Sequence, residues 1–165
     1  MSKVNGVLFK TNKKITIQTS GISGYSGASA VANIIYASLF VPANTFTLGD
    51  VVTLEHGLQV SAGTQTQTWR LYYNTSNSLT GAVQIAQRSE SAGLLFLPGM
   101  RKMAIRSTTN NTFIMGTTAN FYTDFQSVSV VPSILSLNWT VDLYFLVAAI
   151  SNPDNMRALY FKISN

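Results

Sequence analysis

The sequence predicts an all-β protein, a single antiparallel β-sandwich with a short N-terminal arm. Three observations predict this fold class. Apolar and polar residues alternate with a period of two in several segments, and turn-forming residues recur roughly every 8 to 15 residues between them. No segment of helical length shows the 3.6-residue period of an amphipathic helix. A length of 165 residues suffices for one domain with a substantial core.

Residues 1–30 form the predicted arm, with a connector at its end. They hold a short strand candidate at Val7–Phe9, an alternating segment at 15–19 and a Gly/Ser-rich stretch at 21–30. That last stretch has the composition of a flexible connector. A cluster of lysines early in the arm is either a solvated tail or a basic surface for an acidic partner, and its members are Lys3, Lys10, Lys13 and Lys14.

Residues 31–165 form the predicted sandwich. In 51–60 the alternating residues Val52, Leu54, His56, Leu58 and Val60 share one face, which predicts a strand with one buried side. The same alternation predicts strands at 66–73, at 102–107 and at the C-terminus. The expected buried residues there are Trp69, Leu71, Tyr73, Met103, Ile105, Leu159, Phe161 and Ile163. Turn residues between these segments, Pro98–Gly99 among them, predict the connections.

Two segments are apolar on both faces and need cover on both sides. They are 31–41 and the end of a strand that we expect to run from Trp139 through 143–150. The cover comes either from another part of the chain or from another subunit. If it is a subunit, the candidate interface residues are Ile34, Tyr36, Phe40, Leu146, Ala148 and Ile150.

The chain shows no sign of catalytic chemistry, so we predict that it is not an enzyme and holds no cofactor or metal. Only 10% of its residues are charged, it has no cysteine, and its six carboxylates are scattered. Asp50 and Asp154 fall in expected turns, where aspartate commonly accepts backbone N–H bonds. His56, the sole histidine, lies in the apolar register of its strand, which indicates a core or interface histidine rather than a general base. If it lies at a subunit contact, assembly depends on pH.

The composition of the chain also limits the kinds of partner that we expect it to bind. The net charge is +5, but no aromatic residues interleave with the arm lysines, so nucleic-acid binding is not expected. The apolar stretch 143–150 is too short to span a bilayer, so we expect no membrane insertion.

The residues after Met1 do not form the apolar run of a signal peptide, so we expect synthesis in a cytoplasm and release by lysis. Tyr72 beside Arg70, and Tyr122 near Asp124, are candidate stacking groups for a glycan.

Three passages, 39–53, 69–82 and 138–155, together resemble small β-domain structural proteins of tailed bacteriophages. These include head-fibre, decoration and tail modules of crAss-like and related phages of Bacteroidota. The resemblance covers roughly 31–165 and consists of strand and turn signatures. It implies a jelly-roll-like sandwich, often a homotrimer, that is attached to the particle by its N-terminal segment.

The resemblance implies a virion structural protein, either a capsid decoration or head-fibre subunit or a tail or collar component. Its partners are then further copies of itself and other virion proteins of the capsid, the portal or neck, or the tail. The arm docks on the particle, and the candidate anchor residues are Lys3, Phe9, Lys10, Lys13 and Lys14. The alternative is a receptor-binding module that recognises host surface glycans.

Overall fold

The computed structural model describes residues 2–4, 7–9, 16–20, 33–61, 66–90, 93, 95–109, 111–114, 133–150 and 156–165. The described residues form β-strands and no helix. In chain order the strands are β1 (Ser2–Val4), β2 (Val7–Phe9), β3 (Thr16–Ser20), β4 (Asn33–Val41), β5 (Val51–Val60), β6 (Gln67–Asn74), β7 (Val83–Glu90), β8 (Phe96–Ser107), β9 (Asn111–Ile114), β10 (Ser133–Leu135), β11 (Leu143–Ile150) and β12 (Met156–Ser164).

The strands build a sandwich of two antiparallel sheets, which confirms the predicted fold class. One sheet has six strands in the order β10-β9-β8-β5-β12-β3, and the other has four in the order β4-β11-β6-β7. From β3 to β6 the chain changes sheets after every strand, and it does so again between β7 and β8, between β10 and β11 and between β11 and β12. Eight of these ten strands, β3 to β8 with β11 and β12, are connected as in a jelly roll, and β9 and β10 extend the six-stranded sheet at one edge. Strands β1 and β2 pair as a separate hairpin.

The predicted alternation places the core between the two sheets. On β5 the side chains of Val52, Leu54, His56, Leu58 and Val60 are buried, as expected, while those between them are half-buried except at Gly57. Residues of both sheets meet in one apolar cluster that includes Leu39, Trp69, Leu71, Ile85, Leu97, Met103, Ile105, Phe145, Val147, Phe161 and Ile163. This continuous core holds the two sheets together, because burying apolar surface is the main favourable term in folding.

Trp139 lies outside the strand in which the sequence placed it. It is in a turn that precedes β11, and its indole is buried against Phe46 and Phe145 at centroid distances of 5.7 and 5.8 Å. The Trp139 N–H donates to the Thr108 carbonyl at 2.6 Å, and the Asn44 N–H donates to the Trp139 carbonyl at 2.8 Å. The turn is therefore held by packing and by backbone hydrogen bonds to two distant loops.

Pro98 and Gly99 lie inside β8, although the sequence indicated a turn there. They pair with Gly57 and His56 of β5. Strand β9 pairs with β8 only at Met103–Ser107, so among the described residues Pro98 lies where one side of β8 has no neighbouring strand. A proline is tolerated at such an edge because no ladder hydrogen bond is lost there.

Leu159 is exposed, although the alternation placed it with Phe161 and Ile163 on the buried side. The pairing of β12 with β5 shifts between Ala158 and Tyr160, so Leu159 is an extra residue in a β-bulge. The bulge keeps Ala158 and Phe161 in the core and turns Leu159 to the surface.

Strand β3 lies within the predicted arm but belongs to the six-stranded sheet. Its residues pair with Tyr160–Ser164 of β12, with Ile17 opposite Ile163. The sandwich therefore begins before residue 31, and the part of the predicted arm that precedes it ends before Thr16.

Candidate functional surfaces

His56 is part of the core rather than of a surface site. Its side chain is 1% exposed, and its ring lies 6.5 Å from that of Trp69 on the opposite sheet in an edge-on arrangement. Desolvation by burial lowers the pKa of His56 to about 3. The imidazole is therefore neutral between pH 5 and 8. A role for His56 as a pH sensor at a subunit contact does not fit this position inside one chain.

The core also contains polar side chains that the sequence reasoning missed. Arg101 of β8 and Gln67 of β6 are each 1% exposed, and Arg88 of β7 lies 5.8 Å from the Trp69 ring centroid in a cation–π arrangement. Extending the alternation of Met103 and Ile105 backward by one step would have placed Arg101 on the inner side. These residues interact within the chain, so their polar groups are engaged by the chain itself instead of forming an open site.

The residues of the predicted subunit interface differ in their burial within one chain. Tyr36, Leu146 and Ala148 are buried, Ile34 is half-buried and packs against the core, and Phe40 is 42% exposed. Ile150 ends β11, but its side chain is outside the described part. Among the described members of the set, Phe40 therefore offers the most surface to a partner. The assignment of this set to an interface remains a prediction.

The outer side of the four-stranded sheet carries an aromatic row. Phe40 and Tyr144 are paired across β4 and β11 with ring centroids 5.1 Å apart. Tyr72 of β6 lies opposite Leu146 of β11. Arg70, two residues before Tyr72 on the same side of β6, donates from Nε to Gln87 Oε1 at 2.7 Å. Tyr72, one of the predicted glycan-stacking residues, is half-buried in this row. Tyr122 and Asp124, the other predicted pair, lie outside the described residues.

The outer side of the six-stranded sheet carries two aromatic rings over a glycine. A Cβ atom at Gly57 would lie 2.6 Å from Tyr160 Cε1 and 2.9 Å from Phe96 Cε2, so both rings occupy the space above this glycine. Phe96 is 46% exposed, and Met100 follows it on the same side of β8. Burial and the nearby Glu55 raise the pKa of the Tyr160 phenol, and Lys162 lowers it.

Polar pairs flank these rings along β5 and β12. On one side, Lys162 Nζ lies 2.9 Å from Glu55 Oε2. On the other side, Arg157 donates to Gln59 Oε1 from Nε at 2.8 Å and from Nη2 at 2.6 Å. We name this surface the Tyr160 face, defined by Tyr160, Phe96, Met100, Leu159 and the pairs Glu55–Lys162 and Gln59–Arg157.

Asp50 and Asp142, which lie outside the Tyr160 face, accept backbone N–H bonds in turns. Asp50 Oδ2 accepts the Thr47 N–H at 2.7 Å, and Asp142 Oδ1 accepts the Ala43 N–H at 2.9 Å. The predicted turn role of Asp50 is therefore confirmed, whereas Asp154 is outside the described residues. Within the described ranges no three metal-ligating side chains come together, and no helix there has the length and apolarity needed to cross a membrane.

The predicted anchor residues are described only in part. Lys3 lies in β1 opposite Leu8, and Phe9 lies in β2 opposite Ser2. Lys10, Lys13 and Lys14 lie outside the described residues. The described portion thus places two of the five candidates on one small hairpin.

Comparison with known proteins gives structural likeness alone. No protein-family model matches the chain, and no curated protein does. The chain is similar to the solved structure of the Eiger TNF from S. frugiperda, with 10% identity over 93% of each chain and a TM-score of 0.43. It is also similar to a glycosyl hydrolase family protein from Mycobacterium fortuitum, with 10% identity over 76% of this chain and 67% of that chain and a TM-score of 0.31. At this level of likeness, neither protein assigns a family or an activity to the chain.

Proposed function

We propose that this chain is a structural protein of a bacteriophage particle that acts through protein–protein assembly rather than catalysis. It is a capsid decoration or head-fibre subunit, or else a tail or collar component. One structural observation carries the proposal: aromatic rings lie at outward positions of the sandwich, and the charged groups beside them are held within the chain, Lys162 by Glu55 and Arg157 by Gln59. Such a surface suits contact with other proteins, where aromatic residues are enriched and unpaired charges are depleted. The resemblance to phage β-domain proteins supports the same conclusion.

The N-terminal segment is the proposed anchor. The lysines Lys3, Lys10, Lys13 and Lys14 concentrate positive charge before β3, and Phe9 adds an apolar group. A basic segment of this kind is attracted to an acidic surface on a capsid, neck or tail protein. Many copies on one symmetric particle gain avidity, so weak single contacts suffice for attachment. The sandwich then projects from the particle, with trimers as the favoured assembly on the basis of the resemblance.

The experiment is incorporation of a tagged chain into particles during infection, followed by gradient purification of the particles. The wild-type chain is expected to sediment with them. A variant lacking residues 1–14 is expected to be lost from the particles, yet to keep β3 and hence the edge of the six-stranded sheet. A second variant, with Lys3, Lys10, Lys13 and Lys14 replaced by glutamine, keeps the length of the N-terminal segment and removes its positive charge. It therefore tests whether the charge alone is needed for attachment. A wild-type chain that is absent from the particles contradicts the proposal.

A second candidate function is recognition of host surface glycans. The aromatic residues on the outer side of the four-stranded sheet favour it: Tyr72 is half-buried beside Arg70 on β6, and Phe40 and Tyr144 contact each other on the neighbouring strands β4 and β11. Sugar rings stack on such aromatic surfaces while neighbouring polar groups bind their hydroxyls. If this function holds, the isolated chain gives a signal on a glycan array that Tyr72→Ala removes. Incorporation into particles without glycan binding favours assembly alone.

A further inference from the structure

The six-stranded sheet carries an excess of positive charge. Its six strands contain five cationic side chains and one carboxylate, Glu55, whereas the strands of the four-stranded sheet contain two cations and one carboxylate. Arg101 is buried in the core, and the other four cations take outward positions, namely Lys102, Arg106, Arg157 and Lys162. Four positive side chains and one negative side chain give the outer side of this sheet a net charge of +3.

The partners of these cations within the chain differ in charge. Lys162 Nζ lies 2.9 Å from Glu55 Oε2, so this pair is neutral as a whole. Arg157 donates from Nε and Nη2 to the amide oxygen of Gln59, which fixes the guanidinium and leaves its charge intact. Lys102 and Arg106 also interact within the chain, and Glu55 is the only carboxylate side chain that the strands of this sheet supply to all four cations. The sheet therefore attracts negative charge.

Apolar groups lie among these charges. Gly57 leaves the space above β5 to the rings of Tyr160 and Phe96, since a side chain at position 57 would displace both. Leu159, which the β-bulge turns outward, adds an exposed aliphatic side chain next to Tyr160. Tyr, Phe, Met and Arg are the residue types enriched in protein interfaces, and the outer side of this sheet combines all four.

The basic arm joins the same sheet near its charged residues. Thr16, the first residue of β3, pairs with Ser164 of β12. The same row of paired residues continues across β5 to Lys102 of β8. Lys13 and Lys14 precede Thr16 by three and two residues, so the covalent chain alone keeps their backbone within about 11 Å of it. The arm and the sheet thus present the same sign of charge to one partner.

Charge and apolar groups together indicate an acidic protein rather than a nucleic acid. Nucleic acids are bound through cations at their phosphates and through aromatic rings at their bases. The aliphatic side chains of Leu159 and Met100 contribute to neither kind of contact, whereas a protein partner buries them against its own apolar groups. Carboxylates of that partner complement the guanidinium groups of Arg106 and Arg157.

We infer that the Tyr160 face, together with Lys102 and Arg106, binds an acidic surface of another virion protein. This inference rests on the proposed function and deepens it, because it adds a second basic contact to that of the N-terminal segment. Three strands about 5 Å apart and about nine residues long cover on the order of 400 Å², about half of what one partner buries in a stable interface. A contact of this size is weak by itself, so attachment depends on the arm and on many copies as well.

Fluorescence anisotropy of a labelled acidic peptide, with the full chain titrated into it, tests the inference. The probe alternates Glu with Tyr and Leu, and a second peptide replaces each Glu by Gln. The wild-type chain is expected to bind the acidic peptide, and to bind the glutamine peptide at least about tenfold more weakly. Raising the salt concentration from about 50 to about 500 mM is expected to weaken binding of the acidic peptide, because salt screens exposed charges.

Two glutamate variants form a matched pair. Leu159→Glu puts a carboxylate into the Tyr160 face, and Val83→Glu puts one on β7 of the other sheet, at residues that are 39% and 43% exposed. Both change the net charge equally, so Leu159→Glu is expected to raise the dissociation constant at least about fivefold and Val83→Glu by less than about twofold. The double variant Lys102→Gln, Arg106→Gln is expected to raise it at least about fivefold. Far-UV circular dichroism and thermal melting show that each variant is folded.

Four results overturn the inference. They are a wild-type chain that does not bind the acidic peptide, equal binding of the glutamine peptide, equal effects of the two glutamate variants, and no effect of the double variant. A labelled oligothymidylate that binds more tightly than the peptide, and loses binding with the double variant, overturns it in favour of a nucleic-acid site. The proposed function fails separately: a chain that binds the peptide through the Tyr160 face but is absent from purified particles refutes the virion assignment alone.

Discussion

The imidazole of His56 fills the space that a side chain at Gly99 would occupy. A Cβ atom built on Gly99 meets the His56 Cε1, Nδ1 and Nε2 atoms within clash distance. The two residues are directly opposed in the pairing of β5 with β8, and both are buried. The absence of a side chain at Gly99 on β8 is therefore what leaves room for the His56 ring on β5.

Gly99→Ala is expected to destabilise the protein by about 1–3 kcal/mol, because overpacking of a filled core forces the ring and the backbone to shift. Urea denaturation measures the loss. In a double-mutant cycle, His56→Ala removes the ring, so Gly99→Ala should cost far less in that background. Equal costs of Gly99→Ala in both backgrounds would show that the two residues do not share the space.

The depressed pKa of His56 makes stability depend on pH. Between pH 6.5 and about 3 the unfolded chain binds a proton at His56 that the folded chain does not. The free energy of unfolding therefore falls with falling pH across this window, by up to about 1.4 kcal/mol for each pH unit. His56→Gln removes this contribution.

Denaturation of both proteins at several pH values from 4 to 7.5 should give a steeper pH dependence for the wild type than for His56→Gln. Carboxylates contribute equally to both curves, so the difference isolates the histidine. Parallel curves would mean that His56 is as easily protonated in the folded chain as in the unfolded chain.

Asp50 stabilises the turn that leads into β5. Its carboxylate accepts the Thr47 N–H at 2.7 Å and is 8% exposed. Asp50→Ala is expected to lower the free energy of unfolding by about 1–2 kcal/mol, since it removes a buried acceptor from a part-buried N–H donor. Asp50→Asn keeps an acceptor oxygen and should cost less.

The matched control is Asp142→Ala, because Asp142 accepts the Ala43 N–H in an exposed turn where water can replace the carboxylate. Its cost should be the smaller of the two. A larger loss of stability for Asp142→Ala than for Asp50→Ala would contradict the explanation that the burial of Asp50 makes its hydrogen bond the more important one.

The local alternation of apolar and polar residues was enough to predict the sandwich. The alternation around His56 and Trp69 identifies the inner side of β5 and β6 without any knowledge of their neighbours, because a strand exposes alternate residues to alternate sides. The segments 31–41 and 143–150, apolar on both faces, correspond to β4 and β11, which lie side by side in the four-stranded sheet.

The errors in the prediction arise from pairing, which a single sequence does not reveal. Pro98 looks like a turn residue until the pairing of β8 is known, because among the described strands none lies beside β8 at that point on the side away from β5. Leu159 leaves the core because β12 gains one residue relative to β5. The Tyr160 face depends on such pairing too, since residues 57, 96 and 160 meet only when β5, β8 and β12 are adjacent.

The proposed function is tested most directly by the stoichiometry of the chain in gradient-purified phage particles, measured by quantitative mass spectrometry against the major capsid protein. An assembly protein is predicted to be present in many copies, in a fixed ratio that survives repeated purification. Absence from the particles, or a ratio that falls with each purification step, would contradict the assignment of this sandwich to the virion.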